Sequence, residues 1–278
     1  MAAVAVAGTL VALLMIAGCL GSEGDSPASP SQQITVTGST TVLPIAEMAK
    51  EAFEDSHASA SIMVSGGGSS VGIKAVGEGT ADIGMTSRDL KPEEVAGYPG
   101  LVRHHVADDA ILLIVNPGNT VDRLTLEQVR GIYNGTYTNW NQVGGSDQQI
   151  VVVGRDSASG TREFFAEYVL KKEDFVKTQE EFNSNGGIQQ KVSQTPGAIG
   201  YVGLGYTEGV KALRLDVGGT AVEPTLENIK NKEYPISRPL FMLTNGEPDG
   251  LARQYLDFIM SAEGQEIVAS VDYIPVQG

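Results

Sequence analysis

The sequence is poor in cysteine, histidine and basic charge, and each shortage excludes a class of protein. Cys19 is the only cysteine in 278 residues, so no intramolecular disulfide can form. The 19 Lys and Arg residues are outnumbered by 34 Asp and Glu residues, which gives a formal net charge of −15. Because such a charge repels a phosphodiester backbone, we expect no nucleic-acid partner.

The residues that common catalytic sites require are equally scarce. The three histidines are His57, His104 and His105, and all of them are expected to face solvent. The chain has no H-E-x-x-H motif, no paired cysteines and no G-x-S-x-G elbow. Residues 67–74 come close to a P-loop, but Ala75 replaces the hydroxyl residue that would bind Mg²⁺. We therefore expect neither an enzyme nor a cofactor or metal site.

The N-terminal region has the pattern of an exported protein. Residues 1–18 carry no charged side chain, and the apolar stretch 4–16 is too short to span a membrane, so 1–18 is predicted to be a signal peptide. The sequence Ile-Ala-Gly-Cys that ends at Cys19 resembles a lipobox, which predicts lipidation of this cysteine. Residues 19–33, rich in Gly, Ser and Pro, are predicted to be a flexible tether. These features predict an extracytoplasmic protein anchored to the membrane by lipid.

From residue 34 onward, short apolar runs alternate with amphipathic segments, which is typical of an α/β fold. The helix predicted over 43–55 places Ile45, Met48, Ala49, Ala52 and Phe53 on one face. The periodicity predicts strands over 34–37, 61–64, 111–115, 150–153, 198–201 and 239–243, and helices over 43–55, 71–76, 125–133, 161–170, 251–260 and 263–269.

Three turns share one design, in which a strand is followed by Gly and hydroxyl residues and then by the first turn of a helix. They cover residues 38–41, 65–70 and 155–161. A helix N-terminus presents unpaired N–H groups and a partial positive charge, so it attracts anions. The hydroxyls add donors, and Arg155 adds a charged fork that fits two oxygens. A single Ser or Thr here is also explained as a helix N-cap, but the whole set indicates a small anion with several oxygens.

Six segments resemble, in order and spacing, the phosphate-binding proteins of bacterial and archaeal phosphate importers, in the shorter branch of that family. They are residues 38–42, 65–70, 81–84, 155–161, 196–201 and 273–276. The resemblance implies an α/β two-lobe periplasmic-binding-protein fold (a Venus flytrap), with two mixed sheets flanked by helices and two hinge crossings near 112–116 and 236–242. Lobe I is then expected to contain 34–113 and 240–278, and lobe II 114–239.

The resemblance also implies which residues bind the anion. The implied contacts are Thr40, Thr41 and Ser69 from lobe I, with Ser39 and Ser70 in the same turns, and Arg155, Ser159, Gly160 and Thr161 from lobe II.

Ser87 departs from the family pattern. Relatives carry at this position an Asp that accepts the proton of hydrogen phosphate, and a hydroxyl discriminates less well against sulfate. Asp109 is predicted either to replace that carboxylate or to lie, with Asp108, at a solvated strand start. Arg88 is predicted to bind phosphate or to form an ion pair at the rim, and Asp82 to be structural.

The expected function is a monomeric binding protein that captures inorganic phosphate and presents it to the transmembrane subunits of an ABC importer. Hydroxyl and N–H donors alone would also serve molybdate, tungstate or sulfate. Two other classes stay open, namely a secreted phosphoester hydrolase and a surface sensor that keeps the binding fold.

Overall fold

The computed structural model describes residues 1–2 and 32–276. The predicted signal peptide, the predicted lipidation site Cys19 and nearly all of the predicted tether lie outside the described residues. The strands and helices belong to one compact unit, Ser31–Gly278. Within the described part of the chain, no helix combines the length and apolar character that crossing a bilayer requires.

The first sheet is mixed and is formed mainly by the N-terminal part of the chain. Its strands are β1 (Gln32–Gly38), β2 (Ala60–Ser65), β3 (Ile83–Thr86), β4 (Leu101–Ala110) and β13 (Ser237–Asn245), in the order β2-β1-β3-β13-β4. Strand β1 is parallel to β2 and β3, whereas β13 is antiparallel to β3 and β4. The helices of this part are α1 (Leu43–Ser56), α2 (Ser69–Gly77), α3 (Pro92–Gly97), α8 (Gly250–Ile259) and α9 (Ala262–Ser270).

Helix α1 packs its apolar face on the first sheet and on α8 and α9. Phe53 lies edge-on to Tyr255, whose hydroxyl donates to the Ala46 carbonyl at 2.6 Å. The predicted face was wrong at Met48, which is 42% exposed, while Ala46 is buried. The buried stripe follows the i, i+4 positions Ile45, Ala49 and Phe53, and Met48 lies too far around the helix to join it.

The second sheet is also mixed and contains the middle of the chain. Its strands are β5 (Leu112–Val115), β7 (Val151–Arg155), β8 (Glu180–Phe182), β9 (Ala198–Val202) and β10 (Lys211–Ala212), in the order β10-β5-β9-β7-β8. A three-stranded sheet, β12-β11-β6, is formed by β6 (Arg123–Thr125), β11 (Arg214–Val217) and β12 (Thr220–Val222). The helices are α4 (Leu126–Tyr133), α5 (Gly160–Tyr168), α6 (Asn185–Gln194) and α7 (Leu226–Lys230), with a 3₁₀ helix at Trp140–Val143.

An aromatic cluster fills the core beside the second sheet. Phe165 of α5 stacks on Tyr201 of β9, with ring centroids 4.2 Å apart, and Tyr133 of α4 packs edge-on against Phe165. The Tyr201 hydroxyl accepts a hydrogen bond from the Arg155 amide at 3.1 Å. The core of this region therefore fixes the backbone of the arginine that ends β7.

The chain passes between the two large sheets at two adjacent points. Strand β4 ends at Ala110 and β5 begins at Leu112, so the first passage occurs at the buried Ile111. The second comes just before Ser237, where β13 begins. The Ile111 amide donates to the Ile236 carbonyl at 2.9 Å, so the two passages are hydrogen-bonded to each other. The mixed sheets and flanking helices confirm the predicted fold class.

Candidate anion-binding site

The three Gly- and hydroxyl-rich turns meet in one place, between the two large sheets. The Thr41 and Thr161 hydroxyl oxygens, from opposite sides, lie 3.2 Å apart. The Ser69 and Ser87 hydroxyl oxygens lie 3.3 Å apart, and the Ser87 amide donates to Ser69 Oγ at 3.1 Å. Turns that are far apart in the chain therefore present their hydroxyl groups to one buried volume.

Helix N-termini position these hydroxyls. Ser69 is the first residue of α2, Thr161 is the second residue of α5, and α1 begins two residues after Thr41. Ser159 is the N-cap of α5, where its Oγ accepts from the Arg162 amide at 3.2 Å. Ser39 Oγ accepts from the Thr41 amide at 3.2 Å in the turn before α1. Helix N-termini and hydroxyl groups thus face the site together, which favours an anion.

Two glycines permit the close approach of the two sides. Gly68 has φ of 98°, and a Cβ there would collide with the Ala158 carbonyl across the interface. A Cβ on Gly160 would overlap the Ser69 hydroxyl and press on that of Ser87. Next to these glycines, the Ser70 amide donates to the Ala158 carbonyl at 3.1 Å. Backbone from both sides is therefore in direct contact at the site.

Arg155 brings a buried positive charge that has no carboxylate partner among the described residues. Its guanidinium donates from Nε to the Phe182 carbonyl at 3.2 Å and from Nη2 to the Asn183 carbonyl at 3.0 Å. The residue is 1% exposed, and burial lowers the pKa of its guanidinium to about 10. A buried cation held only by neutral carbonyls is poorly compensated, so an anionic ligand would be stabilised beside it.

Asp109 and Arg238 form a second charged group at the site. Arg238 donates from Nε and Nη2 to Asp109 Oδ2, at 2.9 and 2.8 Å, and both side chains are fully buried. Asp109 Oδ1 accepts from the Leu204 amide at 3.0 Å. Burial raises the pKa of the Asp109 carboxyl, and the Arg238 charge and the Leu204 amide oppose that rise. Asp109 is thus inside the site, but both of its oxygens are already engaged.

Arg238, Asn185 and Tyr206 reach this site although they were not predicted to do so. Asn185 Nδ2 lies 3.1 Å from both Thr40 Oγ1 and Thr41 Oγ1, and the Tyr206 hydroxyl donates to the Thr40 carbonyl at 2.6 Å. The signal for Asn185 was present in the sequence, since residues 183–187 read Asn-Ser-Asn-Gly-Gly directly after β8, and α6 begins at Asn185. This is a fourth copy of the strand, polar turn and helix design.

Other polar residues near the turns have structural contacts. Ser70 Oγ accepts from Arg88 Nη2 at 3.1 Å, and Arg88 forms a two-point ion pair with Glu94 at 2.7 and 2.8 Å. Arg88 is therefore used in ion pairing at the rim. Asp82 accepts from the Thr35 amide at 2.7 Å, which confirms its structural role. Within residues 32–276, no cluster of His, Cys, Asp and Glu side chains could hold a metal ion.

The two-lobe arrangement and the donors between the lobes define a solute-binding protein of the periplasmic type, and comparison with known proteins agrees. The model of the PBP superfamily domain matches residues 24–263. A PstS phosphate-binding protein of Bacillus subtilis is 34% identical to this chain over 96% of it and 92% of its own length. A PstS of Borreliella burgdorferi is 33% identical over 88% and 90%. This chain therefore belongs to the PBP superfamily and, within it, to the family of these phosphate-binding proteins.

Solved structures show the same likeness. One from Clostridium perfringens, described as a phosphate ABC transporter substrate-binding protein with bound phosphate, superposes with a TM-score of 0.83 at 40% identity, covering 88% of this chain and 100% of that one. An ABC-type phosphate transport receptor from Vibrio cholerae gives a TM-score of 0.70 at 34% identity, covering 87% and 99%.

Proposed function

We propose that this protein captures inorganic phosphate between its two lobes and delivers it to the transmembrane subunits of an ABC importer. The observation that carries the proposal is the buried guanidinium of Arg155, which ends the strand before the turn of Ser159 and Thr161 and has no carboxylate partner among the described residues. A tetrahedral oxyanion supplies the missing negative charge and several acceptors for those hydroxyls. The family is one of binding proteins, and the chain is not an enzyme.

We assign the lobes from the two passages between the sheets. Lobe I contains residues 32–110 and 237–276, lobe II contains 112–236, and Ile111 and Ile236 form the hinge pair. Hinge closure of this kind is a general property of periplasmic binding proteins. Phosphate would favour the closed form because only that form brings Thr41 and Thr161 to the same ligand.

The test is isothermal titration of the purified full chain, in mild detergent, with phosphate and then with sulfate at neutral pH. We expect phosphate to bind with a Kd of about 1 μM or lower, and sulfate to bind more weakly. Equal binding would transfer the assignment to tetrahedral oxyanions in general, which the hydroxyl of Ser87 would allow. Absence of phosphate binding would overturn the proposal.

We further propose an extracytoplasmic monomer held to the membrane through lipid on Cys19. The support is the lipobox-like sequence that ends at this residue. In cells, a Cys19→Ser variant should leave the membrane fraction and lose incorporation of radiolabelled fatty acid, while its phosphate affinity stays unchanged. Continued lipid labelling of the variant would contradict the assignment of this residue.

Simple assays distinguish the proposed function from two functions of other classes. A secreted phosphoester hydrolase would turn over a chromogenic phosphomonoester, and we expect none. A surface sensor would bind phosphate but would not support its uptake. If the protein serves an importer, phosphate accumulation in cells that depend on it should be abolished by deletion of an importer component.

A further inference from the structure

Arg238 lies in β13, directly after the second passage between the sheets, and faces Asp109 on the neighbouring strand β4. In the antiparallel pairing of β13 with β4, these two residues are direct register partners. Arg238 is therefore placed in the cleft by the strand that connects the lobes, independently of the three Gly- and hydroxyl-rich turns.

One edge of the Arg238 guanidinium donates to Asp109, and a second edge faces the binding site. The Nε–Nη2 edge donates to Asp109 Oδ2. The second N–H of Nη2 reaches Thr161 Oγ1 at 3.0 Å and Thr41 Oγ1 at 3.3 Å. Because a guanidinium is planar, its outer Nη1–Nη2 edge faces the same two threonines.

The outer edge also carries donors that the protein does not satisfy. Nη1 is buried and has no hydrogen-bond partner among the described residues. Buried donors are nearly always paired, so an unpaired guanidinium nitrogen beside two hydroxyls indicates a position for an acceptor.

We propose that Arg238 is a second phosphate-binding arginine, whose outer Nη1–Nη2 edge binds an oxygen of the anion held by Thr41 and Thr161. Asp109 is then a positioning residue, which fixes the inner edge of the guanidinium and does not accept a proton from the ligand. The inference rests on the proposed function and deepens it. The two positive charges of Arg155 and Arg238, less the negative charge of Asp109, leave one net positive charge for the anion.

The test compares phosphate affinity in variants of the full chain, by isothermal titration in the same detergent. Arg238→Gln alone leaves the buried Asp109 without its cation, so its fold is at risk. The double variant Asp109→Asn with Arg238→Gln replaces the ion pair by two neutral amides and leaves no buried charge without its partner. Arg253→Gln, on the exposed side of α8, is the matched control.

We expect the double variant to unfold cooperatively but to bind phosphate at least about 100-fold more weakly, because hydrogen bonds from a charged donor are lost. The control should keep the wild-type affinity. Wild-type affinity in the double variant would overturn the role of Arg238 and leave the proposed function standing, whereas a wild-type protein that does not bind phosphate would overturn both.

A crystal structure of the wild-type protein with phosphate gives a second test that needs no variant. An Arg238 Nη atom within about 3 Å of a phosphate oxygen would support the proposal. A separation of more than about 4 Å, with Arg238 contacting only protein, would overturn it.

Discussion

Single residues decide how closely the lobes approach each other at the site. Gly160 lies against the Ser69 and Ser87 hydroxyls, and its backbone conformation is that of an ordinary helix start. A methyl group here would separate the lobes without straining α5. The requirement for glycine at this position is therefore one of space and not of backbone conformation.

We expect Gly160→Ala to weaken phosphate binding by about 10-fold or more, since closure would no longer bring both sets of donors to the anion. The midpoint of thermal unfolding without ligand should change little. Isothermal titration measures the phosphate affinity, and thermal unfolding measures the midpoint. Gly97→Ala, where an added Cβ meets nothing within 4 Å, is the control. Unaltered affinity in Gly160→Ala would show that the lobes need not approach this closely.

His104 should make stability depend on pH. Burial lowers the pKa of its imidazole, whose Nε2 lies 2.9 Å from Thr244 Oγ1. In the unfolded chain the ring takes up a proton near a pH of about 6.5, whereas the folded protein binds it only at lower pH. Because the unfolded state binds the proton first, the stability present above this pH is lost as the pH falls.

Urea unfolding at pH values from about 7 to about 5 should show a steeper loss of unfolding free energy for the wild-type protein than for His104→Gln. The difference between the two proteins at a pH of about 8, above the titration of the His104 ring in either state, is the reference. Parallel curves for the wild-type protein and His104→Gln would rule out this contribution.

The site residues differ in how far the sequence could predict them. The hydroxyls of the three turns could be predicted because each turn has a local pattern of strand, glycine and helix. Arg238 could not be predicted, since its partner Asp109 is 129 positions away and only the pairing of β13 with β4 joins them. Asn185 had a local signal in residues 183–187 that was not used.

At the scale of elements, helices and buried strands were predictable because their apolar periods are regular. Helix α1 was predicted to within one residue, whereas the ten-residue strand β4 was not predicted. Its pairing with β13 shifts register between Leu240 and Phe241, and the adjacent Val106 and Ala107 are both buried. This bulge breaks the alternation by which a strand is recognised. The predicted strand 111–115 was correct from Leu112 onward, and Ile111 belongs to the passage between sheets.

Helix α4 offers a test at this scale. Its N-cap Thr125 accepts from the Gln128 amide at 3.1 Å, and the Gln128 side chain accepts from the Thr125 amide at 2.9 Å. Thr125→Ala removes one half of this capping box and should lower the unfolding free energy by about 1 kcal/mol. Urea denaturation measures the change, and the exposed Thr136→Ala is the control. Equal losses in both variants would mean that the cap contributes nothing specific.

At the scale of the molecule, charges at the rim also join the lobes. Glu163 of lobe II lies 2.6 Å from Arg88 Nε and 2.6 Å from Lys91 Nζ of lobe I. The contact with Arg88 is close, although its angle is not that of a hydrogen bond. Since these pairs exist only when the lobes meet, they stabilise the closed form.

We expect Glu163→Gln to weaken phosphate binding by about 2- to 10-fold at low salt, with a smaller difference from the wild-type protein at high salt, where the ion pairs are screened. Glu167→Gln, on the same helix, changes an exposed contact with Lys172 inside lobe II and should have no effect. Isothermal titration with phosphate at low and at high ionic strength measures the affinity of both variants. A difference that does not depend on salt would exclude the electrostatic explanation.

The contact of the Ser70 amide with the Ala158 carbonyl has a kinetic consequence. It joins main chain to main chain without using a hydroxyl group, so it bears on how long the lobes remain together and not on which anion they surround. Residence time therefore depends in part on atoms that take no part in selectivity. A membrane partner that separates only these backbones would release the ion without altering any group that recognises it.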